Sequence, residues 1–232
     1  MARRVADDAP KVTGGPGVAV FDLDGTITRR DTFLPFLLGR LRRTPARWTA
    51  TRRLARAVAL HYAGRIDNST LKTAFLTAIV AGETEDGIRS WTTAFVKRLI
   101  RAGLRRDALV TLAAHRAAGW TTVLATASPD LYVAPLAAEL AFDAVIATRL
   151  ERRSDGRFTG RLDGGNCYGA EKAARVAAWC ANAPVSGPLW VYTDHHADLP
   201  LLDMADRRIG VSPSRRLRSA AASRGISLVA WN

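Results

Sequence analysis

The sequence predicts an α/β fold, in which a parallel sheet carries helices on both faces and a helical domain is inserted into it. Two observations lead to this prediction. Short apolar runs recur along the chain with helical patterns between the later ones, an alternation typical of parallel sheets. The segment between the first two runs, residues 24–120, lacks strand alternation and is far longer than an ordinary crossover. An insertion of helices accounts for its length.

Each strand is recognised as an apolar run that ends at polar or turn-forming residues. The predicted strands are Val18–Leu23, Thr121–Thr126, Ala144–Thr148, Leu189–Tyr192 and Arg208–Val211. Helical spacing of apolar residues predicts helices over Leu131–Leu140 and Ala170–Ala181. The glycines within Gly156–Leu162 predict a small hairpin or flap ahead of the second of these helices.

The inserted segment is predicted to be entirely helical. Its expected helices are Leu34–Leu41, Ala46–Tyr62, Asn68–Val80 and Thr84–Arg101. Asn68 and Thr84 are the expected N-caps, and the expected helix stops are Gly39, Gly64, Gly82 and Gly103. We therefore expect a flexible leader at residues 1–16, a core formed by 17–32 and 106–232, and a helical cap domain at 33–105. A cap over the carboxyl ends of the strands would exclude water and select the substrate.

The chain of 232 residues is strongly basic, with a net charge of +13 and 34 lysines and arginines, of which 30 are arginine. Such a balance favours anionic partners, although arginines spread over solvated helix faces would give the same total. No aromatic and basic RNA-binding motif accompanies them, so no nucleic acid partner is expected. The expected location is the cytoplasm, because Cys167 and Cys180 are two isolated cysteines and the N-terminus has no apolar signal region. The sequence also lacks an apolar run long enough to span a membrane. The oligomeric state is not fixed by the sequence.

The first predicted strand runs directly into Asp22 and Asp24, which Gly25 and Thr26 follow. Residues two apart on a strand face the same way, and the carboxyl end of a parallel strand opens into the crevice where α/β proteins bind ligands. Two carboxylates so close repel each other unless a cation lies between them or one holds a proton. The pair therefore indicates either a Mg²⁺ site or an acid acting beside a nucleophile, and a simple Asp-Gly turn is the alternative.

Three later segments contain further residues that could carry chemistry. The second strand ends at Thr126, Ala127 and Ser128, whose hydroxyls and amides would bind a phosphoryl oxygen or only cap a helix. Lys172 is one of four lysines and begins a helix, where an ammonium is a candidate partner for phosphate or an ordinary surface charge.

The last segment follows the fourth predicted strand. Asp194 and Asp198 would add oxygen ligands for Mg²⁺. His195 and His196 lack the usual spacing of a zinc site and are expected to be loop residues.

Taken in this order over residues 18 to 213, the motifs resemble the haloacid dehalogenase (HAD) superfamily of aspartate-nucleophile phosphatases. The matching features are the Asp-x-Asp-Gly-Thr opening, the hydroxyl motif, the lysine and the closing pair of aspartates. The position of the insertion resembles the C1 type of cap. The segments around Thr126, Lys172 and Asp198 resemble subfamily IB, which holds the phosphoserine phosphatase-like hydrolases. The resemblance implies a Rossmann-like core.

The resemblance also implies roles for individual residues. Asp22 would attack phosphorus and form an aspartyl-phosphate, and Asp24 would protonate the leaving oxygen and then activate water. Lys172 would neutralise Asp22 and hold the phosphoryl oxygens. The other implied phosphate-binding residues are Gly25, Thr26, Thr126 and Ala127. Mg²⁺ is the implied cofactor, with Asp22, the backbone carbonyl of Asp24, and Asp194 as ligands and Asp198 in or next to the coordination sphere.

Three residues depart from the phosphoserine phosphatase pattern and are candidates for substrate specificity. Asp31 stands where those enzymes carry a glutamate, Ser128 lies in a motif that reads Ser-Gly-Gly there, and His195 replaces a small residue after Asp194. The arginine that binds the serine carboxylate has no clear counterpart near residues 72–79. A phosphate ester other than free phosphoserine is therefore expected.

The expected function is Mg²⁺-dependent hydrolysis of a small phosphorylated substrate. One alternative is a phospholipid-headgroup phosphatase at a membrane face, because the apolar segment Phe33–Leu38 resembles the cap start of bacterial phosphatidylglycerophosphate phosphatases. Basic residues that would suit anionic lipid follow it, namely Arg40, Arg42, Arg43, Arg47, Arg52, Arg53 and Arg56. The other alternative is a catalytically weak phosphate-binding regulatory protein, for which His195 and the net charge argue.

Overall fold

A parallel sheet forms the centre of the molecule in a computed structural model that describes residues 15–44, 51–183 and 187–232. The strands are β1 (Val18–Phe21), β2 (Thr121–Pro129), β3 (Ala144–Arg152), β4 (Phe158–Asp163), β5 (Leu189–Thr193), β6 (Arg207–Val211) and β7 (Ser227–Val229). Their order across the sheet is β4-β3-β2-β1-β5-β6-β7. The pairings are parallel except that of β3 with β4, which is antiparallel. The predicted α/β fold is confirmed.

Helices cover both faces of this sheet because alternate side chains of the buried strands point in opposite directions. The helices that follow the insertion are α5 (Arg106–Ala117), α6 (Asp130–Glu139), α7 (Ala170–Asn182), α8 (Leu199–Asp203) and α9 (Arg215–Ala221). Phe21 packs in a cluster with residues of α5 and α6, whereas Val20 packs in a second cluster with residues of α7, α8 and α9. Both side chains are fully buried.

The predicted strands are all present, although β1 ends at Phe21, before its predicted end, and β3 continues to Arg152. Strand β7 is missed by the sequence analysis, because only three residues pair at the sheet edge. Strand β2 continues beyond Thr126 to Pro129, but its pairing with β3 shifts register between Ala125 and Pro129. This irregular end of β2 carries the hydroxyl motif.

Between β1 and α5 the chain forms the helical insertion, as predicted. Its helices are α1 (Phe33–Arg42), α2 (Thr51–Tyr62), α3 (Asn68–Ile79) and α4 (Glu85–Ala102). Residues 1–14 of the predicted leader, which spans 1–16, lie outside the described residues, as do residues 46–50 at the predicted start of the second helix. The domain boundaries themselves stay predictions.

Two predicted helix signals in the insertion are wrong. Asn68 is not an N-cap, because the preceding Asp67 takes that place and its carboxylate accepts the amide of Thr70 at 2.7 Å. Gly39 does not end a helix but lies inside α1, where a Cβ atom would come within 2.4 Å of the Trp91 ring on α4. The glycine therefore permits close packing of two helices, a role that spacing alone cannot show.

The predicted hairpin forms between β3 and β4, and it packs against the insertion. A Cβ atom on Gly160, whose φ is +84°, would lie 2.4 Å from the Cα atom of Thr77 on α3. Phe158 exchanges backbone hydrogen bonds with the turn after α3, accepting from Gly82 at 2.8 Å and donating to Glu83 at 2.9 Å. Helix α3 is therefore fixed to the hairpin as well as to its own neighbours.

An aromatic cluster packs around His115 on one face of the sheet. The rings of Phe21 and Tyr192 stack 4.5 Å apart, and Trp120 and Trp190 pack around His115. His115 is fully buried, and its Nε2 lies 2.7 Å from the Tyr192 hydroxyl. Phe21 directly precedes Asp22, and Tyr192 precedes Asp194 by two residues, so two rings of this cluster lie next to the strand ends that lead to the acidic residues.

None of the helices in the described ranges combines the length and apolar character needed to cross a membrane.

Candidate active site

The carboxyl ends of β1, β2 and β5 meet at one cleft, which has a volume of about 320 Å³. Most predicted site residues line it together, namely Asp22, Asp24, Asp31, Thr126, Ala127, Ser128, Lys172, Asp194, His195 and Asp198. Gly25 and Thr26 do not line the cleft and lie in the turn that follows Asp24. Phe33, Asn68 and Lys72 complete the cleft from the helical insertion.

Asp22 and Lys172 form the centre of the site. The Lys172 ammonium donates to Oδ1 of Asp22 and to Oδ2 of Asp198, both at 2.8 Å. Asp198 Oδ2 also accepts the Thr193 hydroxyl at 2.7 Å. Lys172 is 2% exposed, so it is not the solvated lysine that the sequence left open. One cation thus lies between two buried carboxylates.

Burial raises the pKa of Asp22, and the Lys172 ammonium opposes that rise by favouring the ionised carboxylate. Burial alone would lower the pKa of Lys172, but the Asp198 and Asp22 carboxylates outweigh it and raise that pKa. Lys172 is therefore held as a cation beside Asp22. A carboxylate oxygen fixed against an ammonium group in a buried cleft is a candidate nucleophile.

Asp24 is held away from the Asp22–Lys172 pair by hydroxyl groups. Its Oδ1 accepts the Thr32 hydroxyl at 2.6 Å and the Thr32 amide at 2.7 Å, and its Oδ2 accepts the Ser128 hydroxyl at 2.6 Å. The Tyr132 hydroxyl donates to Ser128 at 2.8 Å. Burial, and next the Asp31 charge, raise the pKa of Asp24, while its hydrogen bonds lower it. A carboxyl group with a raised pKa is suited to carry a proton to a leaving group.

Gly25 shapes the turn between Asp24 and the rest of the site. Its φ is +82°, and a Cβ atom there would lie 2.3 Å from Oδ2 of Asp194. Only glycine fits both the backbone and the adjacent carboxylate. The neighbouring Thr26 is buried, and its hydroxyl has no hydrogen-bond partner among the residues that the structure covers.

The irregular end of β2 forms the opposite wall. The Thr126 hydroxyl accepts the amide of Ser128 at 3.0 Å, which turns the chain inwards. The Ala127 carbonyl accepts hydrogen bonds from Lys72 and from the Thr148 hydroxyl, at 2.6 and 2.7 Å. Ser128 therefore serves two purposes here, since its amide shapes the turn and its hydroxyl holds Asp24.

The surroundings of the acidic residues after β5 indicate whether the site suits a cation. Asp194 Oδ1 is buried without a hydrogen-bond partner in the described part of the chain, and its charge acts on Asp22. Burial, followed by the Asp198 charge, raises the pKa of Asp194 to about 6. Within the same residues no group of three or more His, Cys, Asp or Glu side chains forms a metal cluster. A buried carboxylate oxygen without a partner nevertheless fits a Mg²⁺ ligand, which needs few protein carboxylates.

The remaining specificity candidates lie at the edge of the cleft. Asp31 is exposed, and its Oδ2 accepts the amide of Leu34 at the start of α1. His195 accepts the amide of Ala197 through Nδ1 at 3.2 Å, and its ring lies 4.2 Å from that of His196. His195 is a loop residue beside Asp194, as expected, whereas His196 begins a short 3-10 helix that ends at Asp198.

Sequence reasoning missed Thr32, Tyr132, Asn166 and Lys72. The first three act through hydrogen bonds that join distant segments, and no local pattern marks them. Lys72 had a signal, because it is another of the four lysines in an arginine-rich chain. The rarity that drew attention to Lys172 applies equally to it.

Comparison with known proteins agrees with this geometry. A family model described as haloacid dehalogenase-like hydrolase matches residues 19–203. Protein CicA of Caulobacter vibrioides is 36% identical over 217 residues, which cover 90% of this chain and 93% of CicA. A probable phosphatase of Mycobacterium tuberculosis is 28% identical over 236 residues, covering 96% and 80% of the two chains.

A solved structure has the same fold. The crystal structure of a protein of unknown function from Bordetella pertussis Tohama I superposes with a TM-score of 0.82 at 29% identity, covering 93% of this chain and 99% of the other. The family match extends over most of the chain and includes every segment that lines the cleft. The chain therefore belongs to the haloacid dehalogenase-like hydrolases, as the four motifs predicted.

Proposed function

We propose that the protein hydrolyses phosphate monoesters in a Mg²⁺-dependent reaction with Asp22 as the nucleophile. The observation that carries this proposal is the Lys172 ammonium bonded to Asp22 at 2.8 Å in a buried cleft. Phosphoryl transfer depends mainly on positioning and on neutralisation of charge. A cation fixed beside the attacking carboxylate supplies both.

The proposed reaction has two steps. A carboxylate oxygen of Asp22 attacks phosphorus, the bond from phosphorus to the leaving oxygen breaks, and Asp24 donates its proton to that oxygen. A water molecule then attacks the aspartyl-phosphate and gives its proton to Asp24, and the bond from phosphorus to Asp22 breaks to release inorganic phosphate. Asp24 is suited to this exchange because burial raises its pKa.

The remaining proposed roles concern charge and orientation. Lys172, the Thr126 hydroxyl and the Ala127 amide bind the phosphoryl oxygens, while Gly25 and Thr26 shape the adjoining turn. Asp22, the Asp24 backbone carbonyl and Asp194 would hold Mg²⁺, which would neutralise phosphate charge when bound. Asp198 holds Lys172, and its contact with the metal stays a prediction.

The substrate is proposed to be a small phosphorylated molecule, since the cleft of about 320 Å³ is closed on one side by the insertion. Asp31, Ser128 and His195 are the proposed specificity residues. Residues 33–105 are proposed to act as the cap domain, with residues 17–32 and 106–232 as the core, and the proposed location is the cytoplasm.

One observation favours a lipid substrate as a second candidate. Leu34 and Leu38 lie one turn apart on α1 and are each 40% exposed, close to Phe33 in the cleft. Arg42 and Arg43 at the end of α1 are exposed as well. Apolar and basic side chains together suit contact with an anionic lipid surface.

The test is hydrolysis of a panel of esters by wild type and by Asp22→Asn, each with and without Mg²⁺. The panel contains para-nitrophenyl phosphate, phosphoserine, histidinol phosphate, sugar phosphates and phosphatidylglycerophosphate in vesicles. We expect Mg²⁺-dependent turnover in wild type and at least a hundredfold lower turnover in Asp22→Asn. Asp86→Asn serves as the matched control, because it removes an exposed carboxylate on α4 that does not line the cleft.

The outcomes separate the candidates. Preference for a soluble ester supports the first proposal, and preference for the vesicle lipid supports the second. If no ester is hydrolysed while inorganic phosphate still binds, the protein is a phosphate-binding regulator and the proposed activity is wrong.

A further inference from the structure

Lys72 is a buried ammonium group that the proposed reaction leaves without a role. It lies on α3 of the insertion and is 8% exposed. Its Nζ donates to the carbonyl oxygen of Ala127 and to Oδ1 of Asn166, each at 2.6 Å. A buried charge is stable only when such hydrogen bonds replace water. Both hydrogen-bond acceptors of the Lys72 ammonium therefore lie outside the insertion.

The first acceptor lies where β2 loses its regular pairing. Because the register with β3 shifts between Ala125 and Pro129, the sheet does not fix the peptide that joins Ala127 to Ser128. The Ala127 carbonyl instead accepts from Lys72 and from the Thr148 hydroxyl. A buried carbonyl needs a partner, so these two side chains orient the peptide from its carbonyl side, while the Thr126 hydroxyl accepts its Ser128 amide.

The second acceptor connects the same contact to the segment before Lys172. Asn166 precedes α7, which carries Lys172, and its Oδ1 also accepts from the Thr148 hydroxyl at 3.1 Å. The Thr148 hydroxyl accepts the amide of Cys167 at 3.0 Å. The Lys72 ammonium thus joins the end of β2 to the segment leading to Lys172, and the Thr148 hydroxyl on β3 contacts both of them.

The position of Lys72 is itself fixed. Helix α3 packs on β4 through Thr77 and Gly160, and the turn after it is hydrogen-bonded to Phe158. The helix therefore delivers the ammonium to one place, and the two short hydrogen bonds follow from that placement.

We propose that Lys72 is a positioning residue, which orients the Ala127–Ser128 peptide and the Asn166 segment so that Thr126 and Ala127 can bind the phosphoryl group. The proposal rests on the proposed function, because that function assigns this segment to phosphate. Lys72 acts on the phosphate end of the substrate and not on the leaving group. Its loss should therefore weaken the binding of every ester and of inorganic phosphate by a similar factor.

The test uses Lys72→Met, which keeps the chain length and removes the charge. The matched control is Lys97→Met, since Lys97 is exposed on α4. Two esters with different leaving groups, para-nitrophenyl phosphate and a sugar phosphate, give kcat and KM, and calorimetry gives the dissociation constant of inorganic phosphate. We expect KM and that dissociation constant to rise about tenfold or more in Lys72→Met, by a similar factor for both esters. The Lys97→Met values should stay within about twofold of wild type.

Thr148→Val provides a second, independent variant, because it removes the other donor to the Ala127 carbonyl and nearly preserves volume. It should weaken phosphate binding in the same direction, and the double variant should lose less than the product of the two single effects. This variant also serves if Lys72→Met does not fold.

Three results would overturn the proposal. If Lys72→Met lowers the melting temperature but leaves KM and the dissociation constant of phosphate unchanged, the role of Lys72 is purely structural. Losses confined to one ester, with phosphate affinity unchanged, would make it a leaving-group contact. Wild-type affinity for phosphate in both variants would leave it no role in phosphate binding. If wild type hydrolyses no ester, the proposed activity fails, while the phosphate affinities still decide the role of Lys72.

Discussion

Asp24 hydrogen-bonds through both of its carboxylate oxygens, and each oxygen faces a hydroxyl group. Replacing it with asparagine keeps the shape and removes the exchangeable acid proton. We expect Asp24→Asn to lower kcat by at least a hundredfold, because general acid–base catalysis supplies roughly that factor. The affinity for inorganic phosphate, measured by calorimetry, should change only a few-fold.

The control for this variant is Ser128→Ala, which removes one hydroxyl from the carboxyl group but leaves the acid. It should reduce kcat far less than Asp24→Asn does. Full activity in Asp24→Asn would show that another group carries the proton.

Gly25 gives a second prediction at the level of a single residue. An alanine there meets Asp194 Oδ2 at 2.3 Å and must adopt a φ of +82°. We expect Gly25→Ala to lower the free energy of unfolding by about 1–3 kcal/mol. We also expect the Mg²⁺ concentration for half-maximal activity to rise about tenfold, since Asp194 must move. Urea unfolding measures the free energy, and Mg²⁺ titration of activity measures the half-maximal concentration.

Gly156→Ala separates strain from displacement. Gly156 has a φ of +77°, and no atom lies within 4 Å of the added Cβ. The Gly156→Ala variant should lower the free energy of unfolding without changing the Mg²⁺ concentration for half-maximal activity. An equal change in Mg²⁺ dependence in both variants would show that displacement of Asp194 is not its cause.

At the level of elements, the contact between α3 and the β3–β4 hairpin can be tested through Gly160. A Cβ atom there would lie 2.4 Å from the Thr77 Cα atom, so the helix or the strand must shift. We expect Gly160→Ala to destabilise the protein by about 2–3 kcal/mol, because backbone cannot move aside as a side chain can. We expect KM to rise as well, since α3 carries Lys72.

The measurements are urea unfolding and steady-state kinetics, with Gly225→Ala as the control. Gly225 also has a positive φ, of +61°, and no atom within 4 Å of the added Cβ. A stability loss without any change in KM would show that α3 keeps its place over the cleft.

The elements best predicted from the sequence are the buried strands that end in polar residues. The convergence of Asp22, Thr126 and Asp194 follows from the rule that parallel strands meet at one edge, and the structure places all three in one cleft. Their catalytic roles are still proposals. Strand pairing therefore made the location of the site predictable before any contact was known.

Contacts between elements were less predictable. The N-cap at Asp67 differs from the predicted Asn68 by one residue, because both residue types are good caps and only the backbone conformation decides between them. Gly39 resembled a helix stop, yet it serves packing against Trp91. The docking of the hairpin on α3 depends on residues far apart in sequence, and no periodic pattern encodes it.

For the whole molecule, the buried histidine in the aromatic cluster links stability to pH. Burial lowers the pKa of His115 to about 4, from an ordinary value of 6.5. The unfolded chain takes up a proton as the pH falls through 6.5, whereas the folded protein keeps His115 neutral until about pH 4. The stabilisation is therefore complete above pH 6.5 and is lost as the pH falls towards 4, with an upper limit of about 3 kcal/mol.

The measurement is the free energy of unfolding of wild type and His115→Gln at pH 7 and at pH 4.5. We expect wild type to lose more stability on acidification than the variant, since the variant lacks this group while all carboxylates are shared. His61→Gln, at the end of α2, is the control. Equal losses in wild type and His115→Gln would exclude His115 as the source.

The contact of α3 with β4 also has a consequence for the order in which the chain folds. Thr77 and Gly160 are 83 residues apart in sequence, so the helical insertion is made long before the strand that holds it. Contacts between such distant segments are slow to form, because a long loop must close first. On the ribosome, the insertion must therefore wait for the hairpin before α3 reaches its final position. The cleft is completed only when β5 and its acidic residues follow, so the complete site is one of the last features that this chain acquires during synthesis.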